Sequence, residues 1–121
     1  MRIARIDHVQ LAMPPGGEPQ ARAFYDEIFG LPEKQKPEPL ASRGGCWFVG
    51  EGVQIHLGVE ADFVPARKAH PALVVDDLPT LIAALEAAGH PVRQGDTVDG
   101  RAQHYVDDPF GNRIELIDGE G

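Results

Sequence analysis

The sequence predicts an α+β chain built from one β-α-β-β-β module used twice, and three observations predict it. The same order of strand and helix signals runs through both halves. In each half a Gly closes the helix and a Pro follows two residues later. The interval from Pro32 to His56 and that from Pro91 to Glu115 are both 24 positions. Self-similarity of this kind marks a repeated structural unit.

The first half opens with Ile6, His8 and Gln10 alternating against Val9 and Leu11, the period of a strand with one face on a core. Ala21, Phe24, Tyr25 and Ile28 then recur at helical spacing, with Gly30 as the stop. Three strands are predicted around Leu31–Lys36, Gly45–Val49 and Val53–Val59, the last two joined through Gly50-Glu51-Gly52 as a tight hairpin. The second half opens with a strand at His70–Val75. Asp77 has the side chain of an N-cap and Pro79 lies in the first turn, where a missing N–H costs little. Leu78, Leu81, Ile82 and Leu85 form the stripe of the second helix, which Gly89 ends. Strands follow near Pro91–Gln94, Gln103–Asp107 and Arg113–Ile117, with Asp108-Pro109-Phe110-Gly111-Asn112 as the turn between the last two. From His8 to Pro32 is 24 positions and from His70 to Pro91 is 21; the Pro14-Pro15-Gly16-Gly17 loop absorbs the difference. Ala61–Ala69, with Pro65 and the pair Arg67-Lys68, reads as a linker. The 121 residues are thus expected to make a single domain of two modules, approximately 1–60 and 66–121, within the usual size of one domain.

Composition narrows the partners. Nineteen acidic against eleven basic side chains give a formal charge of -8, which repels phosphate backbones and anionic lipid, so neither nucleic acid nor a membrane is expected as a partner. No apolar run approaches the ~20 residues of a membrane span. Cys46 is the only cysteine, which leaves no intrachain disulfide. The N-terminus lacks the apolar segment of a secretory leader, so a cytoplasmic location is expected. Within Gly45-Cys46-Trp47-Phe48-Val49 the thiol reads as buried and structural.

His8 and His70 open the first strand of each module, and His56 and Glu115 lie in the last. Two related modules packed about a pseudo-twofold axis would bring equivalent strands together, so these four side chains could converge on a metal. Imidazoles with one carboxylate suit Zn, Ni, Co, Mn or Fe(II) and disfavour Ca or Mg. Parity agrees: Gln54 and His56 oppose Ile55 and Leu57, Arg113 and Glu115 oppose Ile114 and Leu116, and His8 and Gln10 oppose Val9 and Leu11. Taken singly, a strand histidine is more often a hydrogen-bonded structural residue, and Glu115 could be a solvated face. Four such residues in equivalent places favour the metal. His90 reads as a loop residue, and the pattern does not decide which way His104 points.

Asp7-His8-Val9, Phe24-Tyr25 with Phe29-Gly30-Leu31, and above all Asp108-Pro109-Phe110-Gly111-Asn112-Arg113-Ile114-Glu115-Leu116 resemble the vicinal-oxygen-chelate superfamily, also called the glyoxalase/bleomycin-resistance/dioxygenase superfamily. The resemblance covers essentially the whole chain. It implies two βαβββ modules forming a cupped mixed sheet with helices on the outside, around a metal, commonly in a homodimer whose subunits share or exchange modules. His8, His70 and Glu115 match the ligand pattern of the metal-dependent members directly. His56 departs from members resembling bacterial glyoxalase I, where a carboxylate is usual, which argues against glutathione-hemithioacetal isomerisation. Gly44-Gly45-Cys46-Trp47-Phe48, His56-Leu57-Gly58-Val59-Glu60 and Lys68-Ala69-His70-Pro71 are similar to a bacterial glyoxalase-like subgroup.

What the resemblance implies chemically is a lyase or isomerase acting on a small oxygen-chelating metabolite, with one divalent transition metal as Lewis acid stabilising an enolate or oxyanion. Three imidazoles and one carboxylate leave a divalent centre with positive charge, so an anionic substrate is expected, with Glu115 doubling as the base. Two alternatives stand beside this. An Fe(II) extradiol-type dioxygenase would use His8, His70 and Glu115, but such chains are usually longer and His56 would crowd the open positions. A metal-free drug- or ligand-binding resistance protein would generally lack a full ligand set. Gln10, Gln54, Arg113 and Trp47 are further candidates for the pocket.

Overall fold

The computed structural model describes residues 1–119. The described chain divides into two compact units, Met1–Val64 and Pro65 onward. Each holds one four-stranded mixed sheet, the two βαβββ modules that the repeat predicts.

In the first module the strands are β1 (Val9–Met13), β2 (Glu33–Lys34), β3 (Cys46–Gly50) and β4 (Val53–Val59), in the order β1-β4-β3-β2. β1 runs parallel to β4, while β2–β3 and β3–β4 are antiparallel. The helix after β1 begins as α1 (Glu18–Ala21) and widens into π-helical turns over Arg22–Ile28. The Phe29 N–H donates to the Phe24 carbonyl at 3.0 Å, five residues back. Because five residues make roughly one π turn, Phe24 and Phe29 come to one side, with ring centroids 4.6 Å apart, and Tyr25 packs edge-on to both. Phe24, Tyr25, Phe48, Ile55, Leu57 and Met13 are fully buried and form the core of this module. The predicted stripe is thus present, but the winding is wider than an α-helix because three aromatic rings must share one face.

The second module contains β5 (Ala72–Val75), α2 (Leu78–Ala87), β6 (Arg93–Val98), β7 (Arg101–Asp107) and β8 (Arg113–Asp118), with sheet order β5-β8-β7-β6. Asp77 caps α2 as expected: its carboxylate accepts from the Thr80 N–H at 3.3 Å and from the Thr80 hydroxyl at 2.7 Å. Leu78 and Leu85 bury the inner stripe, and Val106, Ile114 and Leu116 are the other buried apolar side chains of this module. Two expectations need correction here. β6 and β7 are longer than predicted, because Asp99-Gly100, with φ of 51° and 77°, makes the two-residue turn between them; Asp-Gly at positive φ is the favoured hairpin turn. The opening strands are shorter, since pairing starts at Val9 with Ile55 and at Ala72 with Glu115. His8 and His70 therefore stand just before their strands.

The turn ahead of β8 is held by a buried polar knot. The Asp108 carboxylate accepts from the N–H groups of Phe110 and Asn112, both at 2.9 Å, and from the Asn112 amide at 3.0 Å. The Asn112 side-chain oxygen in turn accepts from the Ala66 N–H, and the Ala66 carbonyl accepts from the Arg113 N–H. Buried polar groups persist when paired in this way, so the linker after Val64 is tied to the second module. Among the described residues no helix is long and apolar enough to cross a membrane.

Candidate functional site

The first module gathers its candidates on the sheet face opposite α1. Register places Gln10 and Trp47 on either side of His56, and the Glu51-Gly52 loop sets the pairing of Trp47 with His56, which could have been counted off the sequence. The His56 ring is sandwiched: Trp47 stacks on one side at 4.4 Å between centroids and His8 at 4.1 Å. His56 is 6% exposed, and its Nε2 is buried with no hydrogen-bond partner. Burial, then the nearby His8, hold the ring below the usual histidine range, so it is neutral at pH 7 and its nitrogen lone pair is unprotonated. His8 is partly exposed and its Nδ1 lies 2.9 Å from the Asp7 carboxylate, which that bond holds below the usual carboxylate range. An open cavity of about 510 Å³ lies against this face, lined by Gln10, Gln54, His8, His56 and Trp47 together with Lys36 and Arg43. The last two were not singled out in the sequence, since both sit in the irregular segment between β2 and β3.

That segment is fixed by local contacts. Gly45, at φ 85°, lies so close to β4 that a Cβ there would fall 2.1 Å from the Leu57 carbonyl oxygen. Its N–H donates to the Glu18 carboxylate at 2.9 Å, the main reason that this carboxyl lies below its ordinary range. The Lys36 ammonium donates to the Gly44 carbonyl. Cys46 is fully buried, and desolvation pushes its thiol up to about 11; it is an inert core group, as the sequence suggests.

In the second module His70 and Glu115 meet. His70 Nε2 lies 3.0 Å from Glu115 Oε1, and the His70 Nδ1 is 2.8 Å from the Lys68 carbonyl. A carbonyl can only accept, so Nδ1 carries the proton, and in the neutral ring the Nε2 lone pair faces a carboxylate oxygen. Two acceptors at that distance need a cation between them, a proton or a metal. Gln103 donates to Glu115 Oε2 at 3.4 Å. Tyr105 pairs across from Glu115, packs edge-on to His70 at 5.7 Å, and carries the Arg113 guanidinium over its ring at 5.4 Å. Arg113 is thus engaged on a neighbouring ring. His104 pairs across from Leu116, on the face away from Glu115, and its buried Nδ1 lacks a partner.

The four predicted ligands therefore come together as two pairs, His8 with His56 and His70 with Glu115. Among the described residues no cluster of three or more His, Cys, Asp or Glu side chains stands ready for a metal.

The profile described as the Glyoxalase/Bleomycin resistance protein/Dioxygenase superfamily matches residues 5–116, and the chain belongs to that superfamily. Members typically use divalent metals, bind small molecules and often form dimers. A solved protein from Bacillus anthracis, assigned to the glyoxalase family, is 46% identical, with a TM-score of 0.91 over 98% of this chain and 97% of its own. The genomically encoded fosfomycin resistance protein of Listeria monocytogenes shares the fold at 18% identity and a TM-score of 0.77, covering 98% and 95% of the two chains. Lactoylglutathione lyase from Agrobacterium tumefaciens does so at 23% and 0.66, covering 93% and 92%. No curated protein matches.

Proposed function

We propose that this protein is a metal-dependent lyase or isomerase of the glyoxalase type, acting on a small anionic metabolite that offers two oxygens, with His8, His56, His70 and Glu115 holding one divalent transition metal. One observation carries the reading: each module presents a histidine nitrogen that a cation would satisfy. The His56 Nε2 is buried without a partner, and the His70 lone pair faces the Glu115 carboxylate. Leaving the buried His56 nitrogen unpaired costs about 1–3 kcal/mol, which a divalent ion would relieve, and between His70 and Glu115 that ion would take the place of a bridging proton. Such an ion supplies Lewis acidity for negative charge developing on substrate oxygen. Glu115 is the proton acceptor among the four, and Gln103 orients its second oxygen. Trp47 and Tyr105 are the ring walls beside His56 and Glu115.

Elemental mass spectrometry on protein purified without chelators tests this. About one transition metal per chain is expected, with His56→Ala and Glu115→Ala each depleted. Undiminished metal in both variants would refute the site. A homodimer in the cytoplasm belongs to the same reading. Both sheets end in open edge strands, and Ile3, Ile6 and Val74 are exposed at 95%, 78% and 66%, surface that a second copy would cover. Light scattering should give twice the 13.1 kDa chain mass; a monomer at micromolar concentration would sink this part.

A further inference from the structure

We infer that the substrate carries an oxyanion beyond its chelating oxygens, and that Lys36 and Arg43 recognise it at the loop end of the first module's cavity. Only the chelating oxygens rest on the function proposed above. Three charged side chains line the cavity: Asp7, Lys36 and Arg43. Asp7 is already occupied by His8. The Lys36 ammonium is pinned on the Gly44 carbonyl, the residue after Arg43, and an ammonium so held has two N–H bonds left to donate. Arg43 closes the short helical turn Leu40–Arg43 and forms no ion pair with any described residue. A chain of formal charge -8 thus keeps two cations on the wall of one cavity, where they attract anions against the field of the whole molecule.

The rest of the cavity fits the same ligand. Leu40, Val59 and the Trp47 ring give it apolar wall, enough for a short carbon chain. Lys36, Arg43 and His56 line the same cavity, which sets the cationic end and the ligand row on one ligand's surface. A second open cavity of about 560 Å³ shares Lys36 and Trp47 and is lined also by Lys34 and Glu38. The chemistry recognised is therefore that of a small organic acid: a carboxylate or phosphate group joined through a short chain to a pair of neighbouring oxygens.

Trp47 is the only tryptophan, so its fluorescence reports occupancy directly. The probes are 2-phosphoglycolate and tartronate, with a second oxyanion of each kind, and glycolate, with none. Against chelator-treated protein at constant ionic strength, at least one doubly anionic probe should bind about tenfold more tightly than glycolate. Arg43→Gln and Lys36→Gln should each remove most of that preference while Arg43→Lys retains it. Arg43 is exposed, so its replacement leaves the fold intact, and which probe gains separates phosphate from carboxylate recognition. Equal binding of all three probes, or a preference that survives Arg43→Gln, overturns the inference. Failure of the metal reading shows elsewhere, as protein without metal whose affinity for glycolate is unchanged on adding Zn or Ni.

Discussion

The two modules carry the same row of positions across their sheets and fill it with opposite chemistry. In the first, Gln10, His56, Trp47 and Lys34 lie side by side on β1, β4, β3 and β2. In the second, Ala72, Glu115, Tyr105 and Arg93 take the corresponding places. Each last-strand ligand has an aromatic neighbour, and each has a histidine two residues before its parallel partner: His8 before Gln10, His70 before Ala72. Yet His56 is a neutral ring stacked between two others, whereas Glu115 is a carboxyl group with one oxygen against His70 and the other accepting from Gln103. Duplication has preserved where side chains point and left what they carry free to diverge. In the proposed site the first module would offer two imidazoles, and the second an imidazole with the carboxylate that would act as base.

Glu115→Gln is the sharpest probe of that division. It keeps shape and an oxygen donor but removes basicity, so solvent-deuterium exchange into substrate should fall roughly 10²–10⁴-fold. His56→Gln removes no base, so it should weaken metal retention without abolishing exchange at saturating metal. Equal losses in both variants would erase the contrast between the modules, and undiminished exchange in Glu115→Gln would remove it from the role of base.

The next effect is on stability. Asp108→Ala removes a buried carboxylate that accepts three hydrogen bonds, for which the first module has no counterpart between Gly50 and Val53. A cost of about 2–4 kcal/mol is expected, read as a lower urea midpoint. Hydrogen exchange should show that loss concentrated in β7, β8 and the Ala66 amide. A variant as stable as wild type would show that the knot is dispensable.

A smaller effect separates the modules by pH. The Glu18 carboxyl is held below its ordinary value of 4.5, chiefly by the Gly45 N–H. A depressed carboxylate stabilises the fold above its unfolded value and loses that contribution as pH falls through the lower, folded one. Glu18→Gln should therefore be less stable than wild type at pH 7, by at most about 1 kcal/mol given solvent screening. The gap should close as pH drops below 4.5. A gap constant from pH 7 to pH 3 would mean that the Gly45 contact does not depend on charge.

Sequence patterns showed the fold because its signals are local: alternation for β4 and β8, a capped stripe for α2, Gly30 and Gly89 as helix ends. They placed the four candidate ligands on equivalent elements for the same reason. What they missed depends on distance along the chain. Lys36 and Arg43 reach the cavity only because Gly45 can lie flush against Leu57, an approach that has no period. The π-helical widening at Phe24 and Phe29 is a choice made by packing. The Asp99-Gly100 turn carries a local signal, but strand residues as polar as Arg93, Gln94 and Asp96 mask the strand that leads into it.

The tether between the modules belongs wholly to one of them. Ala66 is bonded to Asn112 and Arg113, while Val64, just upstream, is 74% exposed. Every strand of each sheet also comes from its own side of that point. A chain cut after Val64 would thus keep both ladders and the anchored linker whole. A gene of half this length could have encoded a complete ladder from the outset, and fusing two copies would have required a short connector and no new strand pairing.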